Sequence, residues 1–177
     1  MGSIYNTPTW DDTGGTDYVK FDVVSHDSKV WYAILPSNAS AGQTPAVGNA
    51  WWGGQIDITI AGTTTAHPYF LWSPSYNIST SHQPRIKAIQ YGEGYEQRLK
   101  DGINNNKLEF SLSFEQRNEA EATAILHFLN AREGYESFYF KAPAPYGRIK
   151  KFVCKQYSST FVFADNYTIQ ATFQEVS

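Results

Sequence analysis

Four histidines, one cysteine and two adjacent aspartates are the residues from which this chain could build a reactive centre. His26, His67, His82 and His127 are chemically able to hold a metal or pass a proton. None of them forms the His-x-x-x-His pair that turns one helix face into a metal grip, and no Cys-x-x-Cys accompanies them. Cys154 has no second cysteine to pair with, which excludes an intrachain disulfide. Its neighbours Phe152, Val153 and Tyr157 place it on a buried strand, where a thiol packs as a small apolar group. Asp11 and Asp12 lie in Trp-Asp-Asp-Thr-Gly-Gly, a string that reads as a solvated turn. Glycosidase carboxylates must face each other across roughly 5–9.5 Å, which adjacency in a turn does not supply. There is no Gly-x-Ser-x-Gly, phosphate loop or dinucleotide fingerprint. The chain is therefore expected to hold no catalytic residue, no metal and no cofactor.

Aromatic stacking is the other chemistry on offer. Trp31, Tyr32, Trp51 and Trp52 are the candidates for contact with sugar rings, and they fall in a segment too small to build a core without them. Either these rings are that core, or some of them form a sugar platform. Alternation along an extended strand would send only one of Trp51 and Trp52 outward.

The elements that would carry these residues are mostly strands. Tyr18 to Val24 and Lys29 to Leu35 flank a polar His26-Asp27-Ser28 turn, a hairpin signal. Ile56, Ile58 and Ile60 alternate with Asp57 and Thr59 before a Gly62-Thr63-Thr64-Thr65 linker. Leu108, Phe110, Leu112 and Phe114 alternate with polar residues, as do Tyr167, Ile169, Ala171 and Phe173 near the end. Between them a helix is expected over about residues 118–132. Asn118 caps it, Glu121 stands at the capping-box position, and Ala122, Ile125, Phe128 and Leu129 form its apolar face. Gly134 ends it, and strands follow at Tyr135 to Phe140 and Ile149 to Tyr157. Fourteen Lys and Arg against seventeen Asp and Glu leave no basic excess, which argues against a nucleic-acid partner. Arg148, Lys150, Lys151 and Lys155 read as one solvated edge. No apolar window is long enough to insert in a membrane, and the start at Met1-Gly2-Ser3 lacks the regions of a secretion signal.

One stretch carries more than composition. Pro84-Arg85-Ile86-Lys87 runs into Tyr91-Gly92-Glu93-Gly94-Tyr95-Glu96-Gln97-Arg98, followed by Gly102-Ile103-Asn104. The two glycines permit the positive φ of a tight hairpin. With Phe70-Leu71-Trp72-Ser73-Pro74-Ser75-Tyr76 upstream and Phe138-Tyr139-Phe140 and Ile169 to Val176 downstream, this string resembles the minor tail protein M family of lambda-type, long-tailed phages over residues 68–177. Glu93 stands where that family more usually has Asp. The N-terminal segment, through Tyr18, Asp22-Val23-Val24, Trp31-Tyr32-Ala33 and Trp51, is similar to small chitin- or cellulose-binding modules. It departs from them at Phe21, where they have Gly, and at Ile34-Leu35, where they carry an exposed tryptophan.

Together these readings give a mainly β fold, an antiparallel β-sandwich or split barrel with one packing helix, preceded by a small β module. The module covers residues 1–60 and the larger domain 61–177. The tail resemblance implies a non-enzymatic virion protein of the tail tip, made in the host cytoplasm. It would assemble with itself as a ring of three or six copies, between the tail tube protein and the hub that contacts the host. Arg85, Gly92, Gly94, Tyr95, Gln97 and Arg98 would form the assembly hairpin. The module would decorate the ring and contact cell-surface polysaccharide. The alternative is a monomeric carbohydrate-binding module of a polysaccharide-degrading enzyme.

Overall fold

The computed structural model describes residues 4–13, 16–38, 43–76, 78–100, 102 and 106–176, with only the backbone at positions 83 and 93. Met1-Gly2-Ser3, part of the loop after Pro36, and Ile103-Asn104 of the hairpin motif lie outside the described residues.

The first sheet is small: β1 (Val23–His26), β2 (Lys29–Ala33) and β3 (Trp52–Gly53), in that order. A two-residue turn joins β1 to β2, with Asp27 and Ser28 both at positive φ, as strand twist demands of so tight a hairpin. The expected strand at Tyr18 starts late because Phe21 takes a φ of 75°, a left-handed conformation that breaks extension. Phe21 is the position at which the small binding modules carry glycine, the residue that adopts this φ freely.

The main sheet has seven strands. Its order is β4 (Gln55–Ile60), β5 (Thr63–Phe70), β10 (Phe138–Lys141), β11 (Ile149–Phe163), β12 (Asn166–Glu175), β9 (Asn106–Arg117) and β6 (Ser79–Pro84). All its pairings are antiparallel except β5 with β10, so the mainly β, mostly antiparallel fold with one helix is as the sequence suggested, and the sheet does not close into a barrel. The expected linker at Gly62 is a hairpin instead. Ala61 and Gly62 form its two-residue turn at φ 50° and 84°, and Thr63 to Thr65 begin β5. That hairpin straddles residue 60, the expected end of the small module. β11 is longer than expected, because the uncharged run Ser158 to Phe163 continues to pair with β12.

Period-two patterning is borne out on β9 and β12. Leu108, Phe110, Leu112 and Phe114 are buried, as are Ile169, Ala171 and Phe173, while Tyr167 packs at the border. Over this face lies α1 (Glu119–Asn130), which buries Ala122, Ala124, Ile125, Phe128 and Leu129. Asn118 caps it as expected, its side-chain oxygen accepting from the Glu121 amide at 2.8 Å. The helix ends at Asn130, and the left-handed Gly134 closes the turn that follows it rather than the helix itself. At the centre Phe70 contacts six rings, those of Trp72, Phe114, Phe128, Phe138, Phe140 and Phe173. Burial of each such phenylalanine stabilises by roughly 1.5–3 kcal/mol, so this cluster is the largest single source of stability.

The small sheet is welded to this core. Val23 and Tyr32 belong to the large cluster, and Tyr32 stacks edge-on with Trp72. Tyr18, Val24, Trp31, Ala33 and Trp52 form a second, separate cluster on the other side of the small sheet.

Candidate functional site

β7 (Ile86–Gln90) and β8 (Glu96–Lys100) form a two-stranded sheet of their own, outside the seven-stranded one. A single 3-10 turn, Gly92–Gly94, connects them. Only Gly94 uses glycine's freedom, at φ 81°; Gly92 does not adopt a positive φ, so one of the two expected special positions is real. The register pairs Ile86 with Lys100, Lys87 with Leu99, Ala88 with Arg98, Ile89 with Gln97 and Gln90 with Glu96. Tyr91 then donates its amide to the Tyr95 carbonyl at 2.8 Å.

Because strand neighbours point to opposite faces, this register sorts the ribbon in two. One face carries Leu99, Ile89, Tyr91 and Tyr95 with Gln97 and Lys87. The other carries Ile86, Ala88, Arg98 and Lys100 with Gln90 and Glu96. Tyr91 and Tyr95 lie with ring centroids 6.0 Å apart, and the Tyr91 hydroxyl donates to Gln97 at 3.2 Å. Arg98 pairs with Glu96 at 3.0 Å across the polar face. Tyr95 and Gln97 therefore share a face, and Arg98 stands on the reverse. Tyr95 is 67% exposed, and Ile86, Tyr91 and Leu99 are exposed too. Arg85 precedes the ribbon and lines a groove at its base. Over residues 85–101 four basic residues, Arg85, Lys87, Arg98 and Lys100, stand against the three acidic ones, Glu93, Glu96 and Asp101, on a chain whose net charge is −3. The sequence marks Ile86, Ile89 and Tyr91 as apolar strand positions and Tyr95 and Gln97 as motif residues. The register adds Leu99 to the face of Ile89, Tyr91, Tyr95 and Gln97 and puts Ile86 on the reverse, and cross-strand pairing about Gly92–Gly94 is the signal that sorts them.

The aromatic candidates for sugar contact are placed otherwise. Trp31, Tyr32 and Trp52 are buried, with at most 3% of their surface exposed, and Trp51 is half-buried. The Trp31 and Trp52 indole N–H groups donate to the His26 and Gln43 carbonyls at 3.2 and 2.6 Å. A ring enclosed on both faces cannot stack on a sugar, which corrects that expectation for three of the four. These aromatics build interior instead.

The titratable residues are similarly committed. His127 is buried, its Nε2 joined to the Thr7 hydroxyl at 2.7 Å and its Nδ1 to the Tyr32 hydroxyl at 3.0 Å. Burial, with the positive charge of Arg132 behind it, holds its pKa below the ordinary histidine value. Both ring nitrogens are used, so His127 clips the N-terminal segment and β2 to α1. Burial pushes the Tyr32 hydroxyl well above the usual tyrosine range and the Cys154 thiol up to about 11, which makes that thiol a poor nucleophile. Asp11 accepts from the hydroxyls of Thr13 and Thr16 and from the Thr13 amide, contacts that hold its pKa down and fold it into the expected turn. His82 reaches the Tyr146 hydroxyl at 2.6 Å and His67 the Thr65 hydroxyl at 2.9 Å. Among the described residues no three His, Cys, Asp or Glu side chains gather where a metal could sit, and no helix is long and apolar enough to cross a membrane.

Comparison with known proteins matches residues 68–177, the ribbon and most of the main sheet, to a family described as phage minor tail protein. Tail tip protein M of Escherichia phage lambda is 30% identical over 90 residues, covering 51% of this chain and 81% of that protein. Among solved structures, a chain from the tail of an empty GTA particle, refined with C6 symmetry, aligns at 12% identity and a TM-score of 0.36 over 70% of this chain and 89% of its own.

Proposed function

From the premise that this chain belongs to the phage minor tail protein family, we propose that it is a structural subunit of a tail tip whose β7–β8 ribbon is the arm that binds its neighbours. The observation that carries this reading is the ribbon's isolation. Two strands alone are marginally stable in water, and this pair turns Tyr91, Tyr95 and Leu99 to solvent. Such a ribbon gains stability when a partner covers its apolar face. Its basic character favours an acidic partner surface, and the rest of this chain is acidic, so a second copy fits. Copies joined by different patches close a ring when the rotation between them permits. We place that ring, of three or six copies, between the tail tube and the hub. The small sheet, held by His127, forms a layer of each subunit, and the protein acts through contacts rather than catalysis.

Light scattering after size exclusion, over a range of concentrations, tests the arm. A discrete trimer or hexamer is expected for the wild type. Tyr95→Ser with Leu99→Ser is expected to be monomeric at every concentration, with the melting temperature of the wild type at dilutions where it too is monomeric. An oligomer of unchanged size in that double variant would remove the arm from the interface.

A further inference from the structure

We propose that copies of this chain also dock head to tail through a second contact, in which the Phe161-Val162-Phe163 tip of one copy seats in the groove at the base of the ribbon in the next. This deepens the ring reading and rests on it.

The tip is where β11 turns into β12. Phe161 and Phe163 are 62% and 60% exposed, and Val162 between them is exposed as well. Three consecutive bare apolar residues at the end of the uncharged run Ser158 to Phe163 are what natural sheets normally guard against with charge or proline. Neither a charge nor a proline interrupts this run, and the first charge beyond it is Asp165. Asp165 anchors the tip beside α1 by accepting from the Glu119 amide at 2.7 Å. Glu115 and Glu119 are exposed on the neighbouring β9–α1 segment, and Arg117 between them is paired with Glu121 at 2.7 Å, so the tip is apolar with a net acidic surround.

The groove has the complementary character. It encloses about 550 Å³, with Leu108 and Val153 on its floor and the exposed Tyr135 as a wall. Arg85, Lys107 and Lys155 supply the basic rim. The carboxylates there are already engaged. Glu109 accepts from Gln174 at 2.8 Å, while Glu175 accepts from the Leu108 amide at 3.0 Å and from Lys150 at 2.7 Å. Glu175 is neutralised by Lys150 and Glu109 keeps its charge, so Arg85, Lys107 and Lys155 leave the lining net positive around its apolar floor.

Tip and groove cannot meet within one molecule. Val153 and Phe163 lie on one continuous strand, about 33 Å apart at ~3.3 Å per residue. The occupant that matches in both apolarity and charge is the tip of a second copy. Arg85 lines the groove and immediately precedes β7, so the groove and the arm share one end of the subunit and the tip marks the other. A subunit with two unlike, complementary ends associates head to tail.

Trapping by disulfide formation between two differently tagged full-length variants, each in a Cys154→Ala background, tests the contact. One carries Phe161→Cys, the other Lys155→Cys. The mixed pair is expected to cross-link at least about tenfold faster than Phe161→Cys mixed with Tyr76→Cys, a fully exposed control, since cross-linking follows residence in contact. Phe163→Cys repeats the test should Phe161→Cys fail to fold by circular dichroism. If light scattering shows an oligomer but the mixed pair links no faster than the control, this contact is overturned and the arm stands. If Phe161→Cys links fastest to itself, a two-fold tip-to-tip contact replaces the proposal. If neither oligomer nor cross-link forms, both readings fall.

Discussion

Aromatic residues do opposite work in the core around Phe70 and on the β7–β8 ribbon. In the core, six rings close on one phenylalanine and no water reaches them. On the ribbon, Tyr91 and Tyr95 touch each other and face solvent. The first arrangement stabilises the monomer; the second contributes little until a partner covers it. The string most recognisable in the sequence thus lies on the part of the molecule least involved in holding the fold.

That contrast fails if core and ribbon substitutions behave alike. Phe70→Ala should have the largest effect, costing about 3–5 kcal/mol against a total stability of roughly 5–15 kcal/mol, read from chemical denaturation. Gly54→Ala should come next. A Cβ there would meet the Tyr32 ring at 2.6 Å, and the residue's φ is 100°, so a loss of about 1–3 kcal/mol is expected in the same assay. Asn118→Ala removes the helix cap and should cost about 1 kcal/mol.

A gentler effect is a slope with pH. Because His127 has a lowered pKa in the folded protein, the unfolded chain takes up the proton first. Stability should be full above about pH 6.5, the ordinary histidine value, and decline as pH falls from there through the lowered folded value. Melting curves between pH 7.5 and 5 should flatten in His127→Gln. The least effect on the stability of the single subunit, within about 0.5 kcal/mol at dilutions where the wild type is monomeric, belongs to Tyr95→Ser and Leu99→Ser, although these should abolish association. A large drop in melting temperature from either would show that the ribbon supports its own domain.

Local patterning carried most of what was legible in the sequence. Alternation at Leu108 to Phe114 and at Ile169 to Phe173, and the Asn118 cap, depend on neighbours a few residues away. The β4–β5 hairpin was hidden because Thr63-Thr64-Thr65 has the composition of a linker and acquires strand character only by pairing with Ile56 to Ile60. That Trp31, Tyr32 and Trp52 are core was one of the two readings the sequence offered, and the choice is made by distant partners: α1 and Trp72 for Tyr32, Tyr18 and the Gln43 carbonyl for Trp52. The ribbon's glycines and tyrosines were readable, whereas its detachment from the main sheet was a matter of topology. The Phe161 tip went unread because Ser158 to Thr160 interrupt the apolar pattern ahead of it.

The position of β12 has a consequence for the birth of the protein. It follows both of its sheet neighbours in the chain, yet it lies in the interior of the seven-stranded sheet, between β11 and β9. Until residues 166–175 emerge, β9 with β6 and β11 with β10 are two half-sheets, each with an open edge where β12 belongs. The β7–β8 ribbon, whose pairings span at most fourteen residues, can close within microseconds of its synthesis. At translation rates of about 5–20 residues per second, a nascent chain therefore displays a finished arm before it has a body to carry it. Delay in that strand prolongs the interval in which both half-sheets keep an unpaired edge.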